Sequence, residues 1–132
     1  MSEQILNIDA RQLAQLCARN AAEKKAADIV TLKVGDLTTV ADYFVLCTAA
    51  NDPQMRAIVS FVERQAREHM HLRPLSVNGE SGSGWILVDF GAVIFHIMTP
   101  ETRERYQLEE LWSEAPREEF VEKINAFKGA NA

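Results

Sequence analysis

The sequence predicts a single α/β domain: a mixed β-sheet of about five strands with helices packed on it, in the order αββαβββ followed by C-terminal helical pieces. Three observations carry this. Two segments repeat apolar residues at helical spacing, around residues 10–25 and 52–70. Between and after them lie short β-branched and aromatic runs with alternating or continuous apolar character. And 132 residues suit one domain large enough to bury a core, with no internal repeat or linker-like stretch to divide it.

The elements follow in order. Asp9 can cap a helix from Ala10 to Lys25, with Gln12 at the capping-box position and Ile8 and Leu13 at staple spacing. Leu13, Leu16, Cys17 and Ala21 form its apolar stripe. Ile29 to Val34 reads as a strand closed by Gly35-Asp36. Tyr43 to Thr48 is a near-continuous apolar strand, expected to be buried on both faces. Asp52-Pro53 starts a second helix, with Pro at the first helical position, running to Met70 and turning Met55, Ile58, Val59, Val62 and Ala66 inward. Leu75 to Val77, behind Pro74, reads as a short strand near an edge. Asn78 to Gly84 is a loop. Thr99-Pro100 and Leu108 to Trp112 read as short helical turns, with Leu108, Leu111 and Trp112 inward. Arg117 to Lys128 is a last candidate helix, with Phe120, Val121, Ile124 and Phe127 on one face.

Trp85 to Phe90 and Val93 to Met98 read as a hairpin closed by Gly91-Ala92. With a two-residue loop, Leu87 lies opposite His96 and Asp89 opposite Ile94. Because side chains alternate, Trp85, Leu87, Asp89, Ile94, His96 and Met98 then share one face. Asp89 and His96 become diagonal neighbours, about 7–8 Å apart at the backbone. A loop one residue longer would put them on opposite faces. Asp and His inside apolar runs are costly to bury without partners, so this hairpin holds either a satisfied polar network or a site.

Composition excludes some functions. With 47% hydrophobic and 25% charged residues the chain has ordinary globular character. No apolar run approaches a membrane span, and Met1-Ser2-Glu3-Gln4 lacks a secretory pattern, so a cytoplasmic location is the default expectation. Cys17 and Cys47 have no metal-ligand spacing and are expected to be buried small hydrophobes. Residues 101–122 hold eight acids against three bases and so account for the whole net charge of −5. Such a patch suits a basic protein surface better than RNA phosphates, so no direct sequence-specific nucleic-acid binding is expected. It is also what the solvated face of a terminal helix looks like.

No catalytic residue, cofactor or metal is assigned. No Ser or Cys stands in a nucleophile setting. His69 and His71, two apart at a helix end, point in different directions. The loop from Gly79 to Gly84 lacks a phosphate-binding Lys. Asp89 with His96 has the chemistry of an acid–base pair, but without a nucleophile or cofactor motif it is read as a structural or interface pair.

The string from Trp85 to Met98 (W-I-L-V-D-F-G-A-V-I-F-H-I-M), followed by R-E-R-Y-Q-L-E-E-L-W from Arg103 to Trp112, resembles the signature of the Iojap family, the ribosomal silencing factors. Ala41 to Thr48 (A-D-Y-F-V-L-C-T) and Gln54 to Ile58 (Q-M-R-A-I) also resemble it. The likeness covers roughly Ile8 to Ser113, implying a silencing-factor domain over 1–114 and a C-terminal helical extension over 115–132. It implies a fold related to nucleotidyltransferases. It further implies docking on the large ribosomal subunit, through the ribosomal protein numbered fourteen, so that the small subunit cannot join. Carried onto this chain, Trp85, Asp89, Tyr106, Glu109 and Glu110 become the expected partner-binding set. Trp85 and Tyr106 are its aromatic anchors, residue types that dominate interface energetics. Asp42, His96, Arg103, Arg105 and Trp112 become a structural or interface network, with Arg103 and Arg105 expected to hold the C-terminal turns by pairing with Asp89.

The alternative is a small nucleotide-binding or nucleotidyltransferase-derived enzyme. Gly82-Ser83 or Ser83-Gly84 ahead of Asp89 echoes such enzymes. Phe90 and Gly91 then stand where a second carboxylate would be needed for a two-metal clamp. The chain departs from the family pattern at Ala49-Ala50-Asn51-Asp52-Pro53, at Asn78-Gly79 and at Ala92, each time losing a polar or charged group. The apolar stripe of the tail is expected either to pack on the parent sheet or to form a homodimer.

Overall fold

The computed structural model describes residues 9–79 and 82–121. Helix α1 spans Ala10–Glu23, strands β1 and β2 span Ala27–Lys33 and Tyr43–Thr48, and helix α2 spans Asp52–Met70. Strands β3, β4 and β5 are Ser76–Asn78, Trp85–Asp89 and Val93–Met98. Two short helices, α3 (Pro100–Tyr106) and α4 (Leu108–Leu111), precede β6, Arg117–Glu119. The strands form one mixed sheet in the order β3-β4-β5-β2-β1-β6. All neighbours are antiparallel except β2 and β5.

Local chemistry sets the helix ends. The Asp9 carboxylate accepts from the Arg11 and Gln12 N–H groups, and α1 stops at Glu23 because Lys25 turns left-handed (φ 69°). Ile8, the expected staple, lies outside the described residues. Asn51 rather than Asp52 caps α2: its side chain accepts from Gln54 N at 2.9 Å. Gln54 reaches back to accept from Ala50 N and donates to Lys24 O, tying the start of α2 to the end of α1. Thr99 caps α3 by accepting from Thr102 N.

The sheet has two unequal sides. On one, Val45, Cys47, Val88, Phe95 and Ile97 are buried under Leu13 and Cys17 of α1 and Ile58 and Val62 of α2. Burial pushes the Cys47 thiol up to about 12 and the Cys17 thiol higher, so both stay un-ionised and pack as small apolar groups. On the other side Val30, Leu32, Phe44, Leu46 and Met98 form a second core with Leu108, Ala115 and the partly buried Trp85, Ile94 and Trp112. Among the described residues only the short α3, α4 and the turn after them cover it.

The hairpin has the two-residue loop: Leu87 pairs with His96, Asp89 with Ile94, and Phe90 N donates to Val93 O. Three expectations are corrected. Among the described residues the sheet has six strands, where about five are expected. Residues 117–119 do not begin a helix but pair with Leu32, Thr31 and Val30 of β1. The edge of β1 offers backbone groups that need partners, and that ladder outweighs the helical spacing of Phe120 and Val121. The rest of the expected C-terminal helix lies outside the described residues. Finally, Leu111 is 74% exposed rather than inward.

Candidate functional site

The polar and aromatic residues of the hairpin converge on the thinly covered side of the sheet. Trp85 Nε1–H donates to His96 Nδ1 at 3.2 Å. Since Nδ1 accepts, the ring proton sits on Nε2 and the imidazole is neutral. Burial, and secondarily the Arg103 charge, lowers the His96 pKa from 6.5 to about 4. His96 Nε2 has no hydrogen-bond partner among the described residues.

Aromatic rings continue in both directions. Tyr106 lies on Trp85 with centroids 4.9 Å apart. His96 meets Phe44 at 5.1 Å, and Phe44 meets Trp112 edge-on at 5.2 Å and 89°. The row therefore runs Tyr106–Trp85–His96–Phe44–Trp112, from solvent across β4, β5 and β2. Ring pairs in such offset or edge-on geometry add about 0.5–1.5 kcal/mol each beyond area burial. Tyr106, at 51% exposure, is its wet end.

Arg103 fixes the turn that presents Tyr106. Its Nε and one terminal nitrogen donate bidentately to Glu109 at 3.0 and 2.9 Å, and the other terminal nitrogen donates to Thr48 Oγ1 at 2.8 Å. One guanidinium thus holds α3, α4 and the end of β2 together. Glu109, its carboxyl held below the usual range by that bond, also meets Arg117 of β6 at 3.4 Å. Gly84 completes the turn: its φ is +81°, its carbonyl accepts from Thr99 N, and a Cβ there would stand 2.7 Å from Thr102 Oγ1.

The expected residues divide accordingly. Trp85, Tyr106, His96, Arg103 and Trp112 come together on one face. Asp89 does not pair with Arg103, Arg105 or His96. Its Oδ1 accepts from Gly91 N at 2.8 Å and so caps the hairpin turn. Arg105 and Glu110 are exposed. Glu109 is engaged inside the molecule. Asp42 is exposed, and its backbone ties β2 to Val34, Gly35 and Ala92. Phe44, Thr48 and Arg117 belong to the network but were not singled out by the sequence. Phe44 and Thr48 were hidden in a strand apolar on both faces. Among the described residues, no three His, Cys, Asp or Glu side chains gather as a metal would need, and no helix is long and apolar enough to cross a membrane.

Fold and site together define a small single-domain α/β protein whose distinguishing feature is an aromatic row leading from core to surface. The chain belongs to the family described as ribosomal silencing factor during starvation, whose model matches residues 7–132. It is 33% identical over 106 residues to the ribosomal silencing factor of Bacillus subtilis, covering 80% of this chain and 89% of that one. It is 32% identical over 94 residues to the mouse mitochondrial assembly of ribosomal large subunit protein 1, covering 69% of this chain and 41% of that one. A crystal structure of a protein from Chromobacterium violaceum superposes with a TM-score of 0.75 at 25% identity, over 80% of this chain and 88% of that one. This family is not a known family of enzymes.

Proposed function

We propose that this protein is a non-catalytic, cytoplasmic brake on translation. It binds the large ribosomal subunit through the ribosomal protein numbered fourteen and occupies space the small subunit needs. The observation that carries the reading is the stack of Tyr106 on Trp85, with Trp85 held in place by its hydrogen bond to His96. A half-exposed aromatic whose neighbour is already locked loses little freedom on binding, which is what a docking anchor requires. Glu110 and the other exposed acids of residues 101–119 supply charge that suits a basic ribosomal protein. The names of the B. subtilis and mouse relatives, one a ribosomal silencing factor and one a protein of large-subunit assembly, support the same partner. Occlusion needs no chemistry; it follows from mass action at a shared surface.

The test is sedimentation of the purified protein with isolated large subunits, isolated small subunits and joined ribosomes. The expected result is co-sedimentation with large subunits alone and fewer joined ribosomes when small subunits are then added. The Trp85→Ala, Tyr106→Ala double variant, shown to be folded, should lose both. Undiminished binding by that variant would overturn the assignment of the face, and absence of binding to any particle would overturn the function.

A further inference from the structure

The opposite side of the sheet carries a second surface, independent of the ribosomal reading. Strand β3 is the outer strand beyond β4, at the far edge from β6. Its partner β4 covers only one flank, through Ser76–Asp89, Val77–Val88 and Asn78–Leu87. Val77, in register with the buried Val88, lies on the side covered by α2, yet is 42% exposed; Leu75 just ahead of it is 75% exposed. Between β3 and α2 runs an open groove of about 570 Å³, lined by Glu63, Arg64 and Arg67 of the helix, Arg73 and Pro74 before the strand, and Val77, so three arginines stand against one carboxylate. All three arginines are exposed, and none has a carboxylate within ion-pair distance among the described residues. In a chain of net charge −5 this is a local excess of positive charge, held by arginines that no ion pair engages.

We propose that this groove binds an extended acidic peptide segment, which adds a strand to β3. A trough between an edge strand and a helix is the arrangement in which strand addition works. The edge supplies backbone hydrogen bonds, and the trough reads every second side chain. Here the helix-facing positions would meet Arg64, Arg67 and Arg73, so the ligand carries Asp or Glu at alternate positions. The exposed Val77 and Leu75 add apolar contact along the same strand. Nucleic acid offers the same negative charge. It gains nothing from a strand edge, however, and the groove has no aromatic side chain on which a base could stack. The edge is three residues long, bounded by Pro74 and Gly79, so recognition spans about four ligand residues. Affinity should be modest and strongly salt-dependent, because the arginines are solvated.

The probe is a fluorescein-labelled, acetylated (Thr-Glu)4 octapeptide, followed by anisotropy and by amide chemical shifts of the full-length protein. The expected result is saturable binding with shifts at residues 75–78 and along the adjoining face of α2. The charge reversal Arg67→Glu, Arg73→Glu should weaken binding at least tenfold while leaving the melting temperature within a few degrees; the single Arg67→Glu change serves if the pair does not fold. Failure to saturate, equal binding of (Thr-Lys)4, or shifts elsewhere would overturn the proposal. Preferential binding of a decauridylate would also overturn it and assign the arginines to RNA. Self-association abolished by the charge reversal would overturn it in favour of a second copy of this chain. None of these readouts uses ribosomes, so the result is separate from the silencing function.

Discussion

Trp85 and His96 lie on adjacent antiparallel strands, two residues out of direct register and so diagonal on one face, and share a single hydrogen bond in which the indole donates and the imidazole accepts. The bond satisfies the only polar atom of the indole and commits the His96 proton to Nε2. A buried ring that must remain neutral to accept this bond makes the whole face sensitive to acid.

Stability should therefore fall as pH drops. In the unfolded chain His96 protonates near 6.5, but in the fold only near 4. Between these values the unfolded state binds more protons, so unfolding becomes easier as pH falls, by up to about 3 kcal/mol at the lower limit. The lowered pKa of Glu109 acts in the same sense: its contribution is present above the unfolded carboxylate range and is lost as pH falls through the folded value. Urea unfolding of the protein and of His96→Phe at pH 7, 6 and 5 checks this. The variant should show a shallower slope between pH 6.5 and 5; equal slopes would remove His96 as the cause.

Trp85→Phe should keep most of the stack and lose the donor. His96 Nδ1 would then be buried without a partner, at a cost of about 1–3 kcal/mol. Chemical denaturation measures the loss. The His96→Phe, Trp85→Phe double variant should recover part of it, because both polar partners are then gone.

Arg103→Ala should be worse than an ordinary surface change. It strips Glu109 of its bidentate partner and Thr48 of a donor, at a site where the guanidinium is only 11% exposed. A loss of about 2 kcal/mol is expected. Arg103→Lys should restore little of it, since an ammonium cannot form the fork. In large-subunit binding assays both variants should weaken binding without touching Tyr106, through the turn that carries it.

Gly84→Ala should destabilise by about 1–3 kcal/mol, because it combines a left-handed backbone with a Cβ pressed onto Thr102 Oγ1 at 2.7 Å. Gly82→Ala, where a Cβ meets nothing within 4 Å, shares the backbone penalty but not the clash, and should cost less. Thermal melts of the two variants separate the contributions.

Much of this architecture was legible in the sequence. Helix α2, strand β2 and the hairpin register follow from spacing, capping residues and one tight turn, all local signals. The partner of His96 was not legible, and the register shows why. Trp85 and Asp89 flank Leu87 on the same face, so both stand diagonal to His96. The choice between them was made by the turn, where the free Gly91 N–H captures Asp89 and leaves the imidazole to the indole. Pairing of β2 with β5, and of β6 with β1, joins distant segments, so the convergence of Phe44, Thr48 and Arg117 had no local signature. In β6, the short charged run Arg117-Glu118-Glu119 offered no alternation strong enough to compete with the helical spacing beyond it.

Glu109 sits on α4, yet its two oxygens are shared between Arg103 on one side and Arg117 of β6 on the other. The last strand of the sheet and the turn that carries Tyr106 are therefore wired through one carboxylate. Whatever pulls β6 from the sheet withdraws one counter-charge and leaves Arg103 the sole claimant. Whatever clamps Tyr106 by tightening Arg103 on that carboxylate loosens the hold on β6 in return, since coupling between two sites is reciprocal. The C-terminal strand thus acts as a lever on the exposed aromatic end.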